Sequence, residues 1–179
     1  DVSRCQGCGN CQRSCAAENN LSCVDGQTEL NAETYTVVER CEVNTAATRY
    51  VKFACMHCLN PACAAACPVA ALHRTEDGVV VADTEKCIGC RYCQYACPFS
   101  IPKFEWDNAL GVMRKCTGCL DRLTQGKQPA CVAGCPSGAL KVGTRAELLE
   151  SAHARIAAQP ERYVDYVYGE HEVGGTARL

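Results

Sequence analysis

Cysteine is the residue that most constrains the fold of this chain. It accounts for 18 of the 179 residues, and all but two of these cysteines fall into four groups of four. We call the groups motifs 1 to 4: Cys5, Cys8, Cys11 and Cys15; Cys55, Cys58, Cys63 and Cys67; Cys87, Cys90, Cys93 and Cys97; and Cys116, Cys119, Cys131 and Cys135. Every motif opens with a two-residue gap and closes with a three-residue gap, and only the middle gap differs. Such regular spacing indicates that the cysteines bind metal.

The spacing of motif 3 is the strongest single signal. Its pattern, C-x2-C-x2-C-x3-C-P, is typical of bacterial [4Fe–4S] sites, because two-residue gaps allow three thiolates to reach three irons of one cubane. Motif 1 repeats these gaps with Ala16 in place of the proline, whereas motifs 2 and 4 keep the proline as Pro68 and Pro136. Sixteen ligands of this kind predict four [4Fe–4S] clusters as the cofactors.

Disulfide bonds and zinc sites account for the cysteines less well. Disulfide scaffolds are usually shorter than about 80 residues, and cysteines two residues apart do not easily reach disulfide geometry. Motif 4 alone resembles a zinc ribbon, but zinc needs neither triple-cysteine runs nor trailing prolines. The shared three-residue ending therefore favours iron–sulfur clusters in all four motifs.

The rest of the composition predicts a small conventional core. Aromatic residues make up only 6% of the chain, so we expect bound clusters to supply much of the folding free energy and the apoprotein to be largely unfolded. The formal charge of −2 would become about −10 with sixteen thiolates and four oxidised cores, which argues against nucleic acid as a partner. The sequence contains no P-loop, dinucleotide fingerprint or nucleophile motif. We therefore expect no catalytic site and no direct small-molecule substrate.

Local patterns predict several elements between and after the motifs. Residues 34–43 alternate apolar and polar positions and predict a strand with Tyr35, Val37, Cys41 and Val43 on its apolar side, and residues 49–53 as its antiparallel partner.

Thr144 and Glu147 form a capping-box pattern that predicts a helix ending near Gln159, with Leu149, Ala152 and Ile156 on its inner face.

Turn-forming residues and internal repeats give further expectations. Residues 101–113 contain Asp107, Asn108 and Gly111 and are expected to be a loop between modules. Motifs 2 and 4 end in similar sequences, each of which is expected to lead into a short β segment, at residues 79–81 and 140–142.

The ends of the chain give separate expectations. No run of 18 apolar residues and no signal peptide is visible, so we expect no membrane span within these residues. Residues 1–5 resemble residues 83–87 but lack the strand that precedes the latter. We therefore expect the chain to begin inside an element, with an N-terminal piece processed away or absent.

Four segments together resemble a known family. They are residues 55–63, 87–103, 129–140 and 168–176, which carry cysteines of motifs 2 to 4 and the glycine-containing tail. They resemble the four-cluster electron-transfer subunits of bacterial respiratory complexes. These are the beta subunits of formate dehydrogenase, polysulfide reductase and dimethyl sulfoxide reductase, and the ferredoxin-like subunit of membrane-linked nickel–iron hydrogenase. The resemblance covers essentially the whole chain, and the tail is most similar to the formate dehydrogenase and hydrogenase members.

The resemblance implies an α+β fold made of two interleaved bacterial ferredoxin-like modules, each with two [4Fe–4S] clusters. Residues 1–23 and 114–143 would form an outer module, and residues 55–113 an inner module. Residues 24–54 would be a β-hairpin insertion. Residues 144–179 would be a C-terminal helix followed by an extended docking tail.

The resemblance also implies crossed ligation, in which the fourth cysteine of each motif binds the neighbouring cluster. We name four sites after the motif that would supply three of the ligands. Site I is Cys5, Cys8, Cys11 and Cys135; site II is Cys55, Cys58, Cys63 and Cys97; site III is Cys87, Cys90, Cys93 and Cys67; and site IV is Cys116, Cys119, Cys131 and Cys15. All sixteen cysteines are then iron ligands, and the missing proline after Cys15 is expected to change only the local turn.

The function implied is that of a non-catalytic electron-transfer subunit in a multi-subunit anaerobic respiratory oxidoreductase. It would relay single electrons between a catalytic oxidoreductase subunit, of formate dehydrogenase or hydrogenase type, and a quinone-reactive membrane subunit or cytochrome. We expect a membrane-associated complex, at the periplasmic rather than the cytoplasmic face. A free-standing soluble polyferredoxin is the alternative, and a cluster-assembly scaffold is a third possibility. The tail favours the fixed subunit, because its tyrosines are expected to need another subunit to cover them.

A few residues near the motifs allow two interpretations each. His57, inside motif 2, is either an ordinary packed or exposed histidine, or it contacts a cluster as ligand, proton carrier or hydrogen-bond donor. The basic residues directly before a first cysteine either raise cluster potentials or are solvated surface charges. These residues are Arg4, Lys86 and Lys115.

Two cysteines lie outside every motif, Cys23 and Cys41. They are either small buried hydrophobic residues or, in an oxidising compartment, the two halves of a disulfide that closes the insertion.

Overall fold

The computed structural model describes residues 1–22, 25–44, 47–109 and 111–178. Its helices are α1 (Asn10–Glu18), α2 (Ala62–Ala65), α3 (Tyr92–Ala96), α4 (Leu120–Thr124), α5 (Ala130–Ala133) and α6 (Arg145–Ala158). Its strands are β1 (Val37–Asn44), β2 (Ala47–Phe53), β3 (Leu72–Arg74), β4 (Val80–Ala82), β5 (Lys103–Phe104) and β6 (Met113–Arg114). Short helices and two-stranded sheets therefore alternate along the chain.

The proline after the fourth cysteine sets the length of the motif helices. Helices α2, α3 and α5 each end before a Cys-Pro pair, because the proline ring disfavours helical geometry in the residue before it. Cys15 is followed by Ala16 instead, and α1 continues through it to Glu18. The expected change in the local turn of motif 1 is therefore present as a longer helix.

The strands pair in three antiparallel units: β1 with β2, β3 with β4, and β5 with β6. In the first unit Val37 lies opposite Phe53, so the predicted strand and its predicted partner do pair. Val43, expected on the apolar side, is 63% exposed.

Two local predictions were wrong. Residues 101–113 are not only a loop, because β5 and β6 pair there and bury Phe104 and Met113. Residues 140–142 form no strand. The equivalent segment after motif 2, β3, pairs with β4, whereas residues 140–142 run directly into α6 and meet no partner strand.

The apolar core lies between motifs 2 and 3. Leu72, Val80, Phe104 and Met113 form one buried cluster together with the cysteines Cys63 and Cys93. Helix α2 packs against α3 beside this cluster, and α1 packs against α5 at the other pair of motifs. Because the core contains few large side chains, the cysteine loops account for much of the buried interior.

Helix α6 confirms the capping-box prediction. Thr144 and Glu147 exchange the two hydrogen bonds of the box, and Gln159 is the C-cap residue. Leu149, Ala152 and Ile156, predicted on its inner face, are half-buried. The helix therefore begins and ends where the sequence predicts.

The tail after α6 lies partly on the chain itself. The N–H of Leu59 donates to the carbonyl of Gly175 at 3.0 Å, and the N–H of Arg178 donates to the carbonyl of Met56 at 3.1 Å. Arg145, the first residue of α6, donates to the carbonyl of Thr176 at 3.0 Å. The end of the tail thus covers motif 2, so it needs no other subunit to bury it, whereas Tyr166 and Tyr168 remain exposed.

Candidate iron-sulfur cluster sites

All four motifs make the same backbone turn after their first cysteine. The residue two positions on has a positive φ in each case: Gly7 (68°), His57 (47°), Gly89 (69°) and Gly118 (68°). A left-handed residue in a tight loop turns successive N–H groups toward one side, which creates the concave anion-binding arrangement found at many iron–sulfur sites. The repeated geometry shows that motif 4 folds as the other three do, despite its long middle gap.

The turn directs backbone donors at cysteine sulfur. The N–H of His57 donates to Sγ of Cys55 at 3.5 Å, and the N–H of Gly118 donates to Sγ of Cys116 at 3.4 Å. Hydrogen bonds to a charged sulfur stabilise the thiolate, which is the form that binds iron. The loops are therefore shaped for ligands that carry negative charge.

The fourth cysteines of motifs 2 and 4 are also surrounded by donors. Burial alone raises the pKa of Cys67, but backbone N–H groups from Val69 to Leu72 lower it overall. The pKa of Cys135 is likewise lowered despite burial, by the N–H of Leu140 and the hydroxyl of Ser137. The Cys-Pro-x-x-Ala-Leu ending of these two motifs thus forms a nest of N–H groups around its cysteine.

The four cysteines of site III line one cavity. Cys87, Cys90 and Cys93 come from motif 3, and Cys67 comes from motif 2. The apolar side chains of Leu72, Val69, Ile88 and Met113 form much of the remaining wall, to which the charged residues Asp83 and Arg91 also contribute. A cysteine-lined cavity with a largely apolar wall matches the donor set of a cubane cluster.

At site II, motif 2 cysteines lie close enough to Cys97 of motif 3 to repel it. Burial and the thiolates of Cys55 and Cys97 raise the pKa of Cys58. The same causes raise the pKa of Cys63 to about 12. A bound cationic iron–sulfur core would offset this repulsion, so the raised pKa values are compatible with the expected site II.

Site IV shows the same relation between motifs 4 and 1. Burial raises the pKa of Cys15 to about 12, and the thiolates of Cys116, Cys131 and Cys119 add to this while Lys52 opposes it. In site I, burial raises the pKa of Cys11 together with the thiolates of Cys5 and Cys8.

The fourth cysteine of site I, Cys135, has a less direct relation to its motif 1 partners. Cys135 and Cys5 both raise the pKa of the Asp1 amino group, so both lie near it.

The sites lie next to one another in a fixed order. Sites III and II share the apolar core, which contains Cys93 and Cys63. Sites II and IV meet at Cys116 and Cys55, since the charge of the Cys116 thiolate tends to raise the pKa of Cys55. Sites IV and I meet at Cys131 and Cys11, since the charge of the Cys131 thiolate raises the pKa of Cys11. These pairwise effects support the order III, II, IV, I for the expected sites.

His57 lies at the junction of sites II and IV and is only 8% exposed. Its Nδ1 accepts a hydrogen bond from the N–H of Val80 at 3.0 Å. Burial lowers the pKa of His57 and the thiolates of Cys116 and Cys55 raise it to about 9, whereas the N–H of Val80 at Nδ1 favours the neutral ring, with its proton on Nε2. His57 is therefore a packed histidine, and the exposed alternative is wrong.

The basic residues before the first cysteines differ in role. Lys115 is buried, and its ammonium donates to the carbonyls of Val80 and Cys116. Lys86 is instead a surface residue that pairs with Asp83 at 2.7 Å. Arg4 lies near Gly138 in motif 4. Only Lys115 among the three is thus enclosed beside a cluster loop.

Two basic residues near the sites carry no signal in the sequence. The positive charge of Lys52, on β2, opposes the rise in the pKa of Cys11 and Cys15 and lowers the pKa of Cys116. These cysteines belong to sites I and IV. Arg178, in the tail, donates to the carbonyls of Ala54 and Lys52. Both come from segments distant in sequence from motifs 1 and 4, so only the fold brings them to these cysteines.

The disulfide considered for Cys23 and Cys41 involves a position, Cys23, that lies outside the described residues. Cys41 lies on β1 and is half-buried.

The fold and the four cysteine loops define a ferredoxin-like α+β iron–sulfur protein. The chain belongs to the family described as the 4Fe-4S dicluster domain, which residues 46–145 match. This range contains motifs 2, 3 and 4, so motif 1 lies outside it.

Named relatives match beyond that range. The chain is 42% identical to a protein of Nitratidesulfovibrio vulgaris, over 99% of this chain and 51% of that protein. It is 40% identical to the formate dehydrogenase, nitrate-inducible, iron-sulfur subunit of Escherichia coli K12, over 98% of this chain and 64% of that subunit. It is 38% identical to the hydrogenase-2 operon protein HybA of Escherichia coli O157:H7, over 73% of this chain and 48% of that protein.

These matches confirm the resemblance drawn from the motifs, and with it the [4Fe–4S] type of cofactor. The chain spans about half to two thirds of the length of the relatives it matches. In the part of the chain that the structure describes, no helix has the length and apolar character needed to cross a membrane.

Proposed function

We propose that this chain relays single electrons through four [4Fe–4S] clusters, as the non-catalytic electron-transfer subunit of an anaerobic respiratory oxidoreductase. The observation that carries the proposal is the unbroken series of neighbouring cysteine sets in the order III, II, IV, I. A [4Fe–4S] group with thiolates on all four irons exchanges one electron and offers no open iron for a substrate.

The ligands of each site are the crossed sets. Cys67 supports this assignment because it lines the cavity formed by motif 3. Cys97 raises the pKa of Cys63 in motif 2, and the cysteines of motif 4 raise the pKa of Cys15. Crossing makes each pair of motifs one unit, because neither motif completes a site alone. The inner module is then residues 55–113 and the outer module residues 1–23 with 114–143, while residues 24–54 and 144–179 attach to them.

The protein supplies insulation and charge compensation around the sites. Apolar residues such as Leu72 and Met113 exclude water from site III, and the buried ammonium of Lys115 offsets negative charge between sites II and IV. Lys52 does the same between sites IV and I. Backbone N–H groups complete the compensation at sulfur.

The partners proposed are a catalytic subunit of formate dehydrogenase or hydrogenase type and a quinone-reactive membrane subunit or cytochrome, in a complex at the periplasmic face of a membrane. The names of two relatives support the first partner, since one is a formate dehydrogenase subunit and another a hydrogenase-2 operon protein. Exposed aromatic residues support a covered surface beside site III. They include Tyr92, Tyr95 and Trp106, with Tyr95 90% exposed.

A free-standing polyferredoxin is the second candidate, and one observation favours it. The end of the tail is buried against motif 2 of the same chain, as the hydrogen bonds of Gly175 and Arg178 show. The exposed tyrosines of the tail and beside site III favour the subunit of a fixed complex instead.

Purification from the native membrane distinguishes the two candidates. The chain is expected to co-purify with a catalytic and a membrane subunit, and to pass electrons only within that complex. A stable monomer that turns over formate, hydrogen or quinone unaided contradicts the relay. A stable monomer that exchanges electrons with several unrelated donors supports the polyferredoxin.

A further inference from the structure

The ring of His57 is held in one orientation by the backbone. The N–H of Val80 donates to Nδ1 at 3.0 Å, and the carbonyl of Val80 accepts from the ammonium of Lys115. Because Nδ1 accepts a hydrogen bond, it carries no proton, and the ring proton of the neutral histidine is on Nε2. The backbone thus turns Nε2 into a fixed donor.

That donor has no partner in the protein. Nε2 is fully buried, and none of the described residues offers it a hydrogen bond of acceptable geometry. Buried N–H groups are rarely left unpaired, because losing water without a replacement acceptor is costly. The orientation of the ring is therefore explained by an acceptor that belongs to a bound group.

The surroundings identify the acceptor as sulfur. The thiolates of Cys55 and Cys116 both interact with the ring, one from site II and one from site IV. A Cβ on Gly118, the turn residue of motif 4, would lie 3.3 Å from Cε1 of His57, so the ring edge packs directly against the site IV loop. His57 itself forms the corresponding turn of site II, with a φ of 47°.

Glycine occupies this turn position in the other three motifs, where a left-handed φ costs no steric strain. Histidine accepts that strain in motif 2, which calls for a compensating contact made by its side chain.

We propose that Nε2 of His57 donates a hydrogen bond to an inorganic sulfur of a bound cluster at the junction of sites II and IV, and that this bond sets the reduction potentials of both sites. The inference rests on the proposed relay. No change of protonation is required, since Nε2 is a donor in both the neutral and the charged ring. A hydrogen bond to cluster sulfur favours the reduced, more negative state, so its removal lowers the potential.

The test compares three variants of the intact complex by redox titration followed by electron paramagnetic resonance. His57→Leu removes the donor, His57→Gln keeps an N–H of similar reach, and His73→Leu is the control because His73 is an exposed histidine on β3. The sites are assigned with the ligand variants Cys97→Ser for site II and Cys15→Ser for site IV.

We expect His57→Leu to keep its full iron content while the signals of sites II and IV both move to lower potential. We expect His57→Gln to recover most of that shift, and His73→Leu to show none. Unchanged potentials at full iron content overturn the proposal. A shift confined to site II, or equal shifts in His57→Gln and His57→Leu, also overturn it, since these outcomes indicate packing alone.

A measurement on the unaltered protein covers the case in which His57→Leu does not assemble. With histidine labelled by ¹⁵N and the clusters reduced, electron–nuclear double resonance is expected to detect a histidine nitrogen coupled to the cluster spins. Absence of that coupling, in protein containing all four clusters, overturns the proposal for His57 and leaves the relay intact. Fewer than four clusters contradicts the relay itself.

Discussion

At the scale of single residues, the fourth cysteine of each motif is the ligand that would connect the sites in the proposed crossed ligation. Cys67 belongs by sequence to motif 2 but lines the cavity formed by motif 3. The turn at Pro68 ends α2 and sends the following backbone N–H groups around the Cys67 sulfur. Cys67 thereby connects two motifs, so its replacement should disturb the cluster of the neighbouring motif.

Replacing Cys67 with serine is expected to disturb site III and to leave site II assembled. The reason is that site III would lose one of four ligands, while Cys55, Cys58 and Cys63 would still have Cys97. Electron paramagnetic resonance on the reduced complex, with the sites assigned, measures the effect. Cys97→Ser is the matched control and should disturb site II alone. Loss of site II in the Cys67→Ser protein would show that the ligation is not crossed.

At the scale of elements, α1 and α5 make the closest helix contact between motifs 1 and 4. Gly134 follows α5 directly, and a Cβ at this position would lie 2.1 Å from Oγ of Ser14 on α1. The φ of Gly134 is −84°, so a side chain would meet a steric clash rather than backbone strain. Glycine is therefore required by helix packing at this position.

Gly134→Ala is expected to destabilise the assembled protein by about 1–3 kcal/mol, the usual cost of overpacking a close contact. Ser14→Ala in the same chain should recover part of this loss, because it removes the atom nearest to the new methyl group. Chemical denaturation of the cluster-containing protein, followed by cluster absorbance, measures both. Gly126→Ala is a steric control, as nothing lies within 4 Å of that position, although its φ of 69° adds strain of its own. Equal stability of wild type and Gly134→Ala would refute the close packing of α1 on α5.

The elements also show which features are predictable from sequence. Helix α6 and the β1–β2 pair were predicted because a capping box and alternating side chains are local signals. The β5–β6 pair was missed because each strand has only two residues, too few to show a period, and burial of Phe104 and Met113 holds it together.

Features that depend on the fold were out of reach of the sequence. The tail docks on motif 2 through backbone groups, which any sequence can offer. The positions of Lys52 and His57 between two sites follow from the way motifs 1 and 4 lie against motif 2. The cysteine spacing predicted the ligand groups but not the left-handed turn after each first cysteine. The pairing of motif 2 with motif 3 and of motif 1 with motif 4 was implied only by the family resemblance.

At the scale of the whole molecule, the cysteines take the place of a conventional core. Burial in the folded chain raises the pKa of thiols such as Cys15 and Cys63 to about 12, so placing them there as thiolates needs a compensating cation. Iron binding ionises them and joins segments as far apart as motifs 1 and 4. Folding and cluster assembly are then one process.

The intact complex is therefore expected to contain about 16 iron and 16 acid-labile sulfide per chain, without zinc, because the sixteen proposed ligands would complete four cubanes. Elemental analysis under anaerobic conditions measures the stoichiometry. Removal of the iron with a chelator should abolish the cooperative unfolding transition and leave little ordered structure by circular dichroism. About 12 iron per chain, stoichiometric zinc, or a stably folded iron-free chain would contradict this expectation.

The order III, II, IV, I makes the relay a single line, and a line is broken by the loss of any interior site. Cys131→Ser is expected to disable site IV and to stop electron transfer between the catalytic subunit and quinone. The catalytic subunit should still reduce an artificial acceptor, and the clusters on its side of site IV should still be reduced by substrate. Rapid-freeze electron paramagnetic resonance after substrate addition measures which clusters fill. His73→Leu, which leaves every ligand in place, is the control and should transfer electrons at the unaltered rate. Undiminished transfer to quinone in an assembled Cys131→Ser complex would show that electrons bypass site IV, and the linear relay would have to be abandoned.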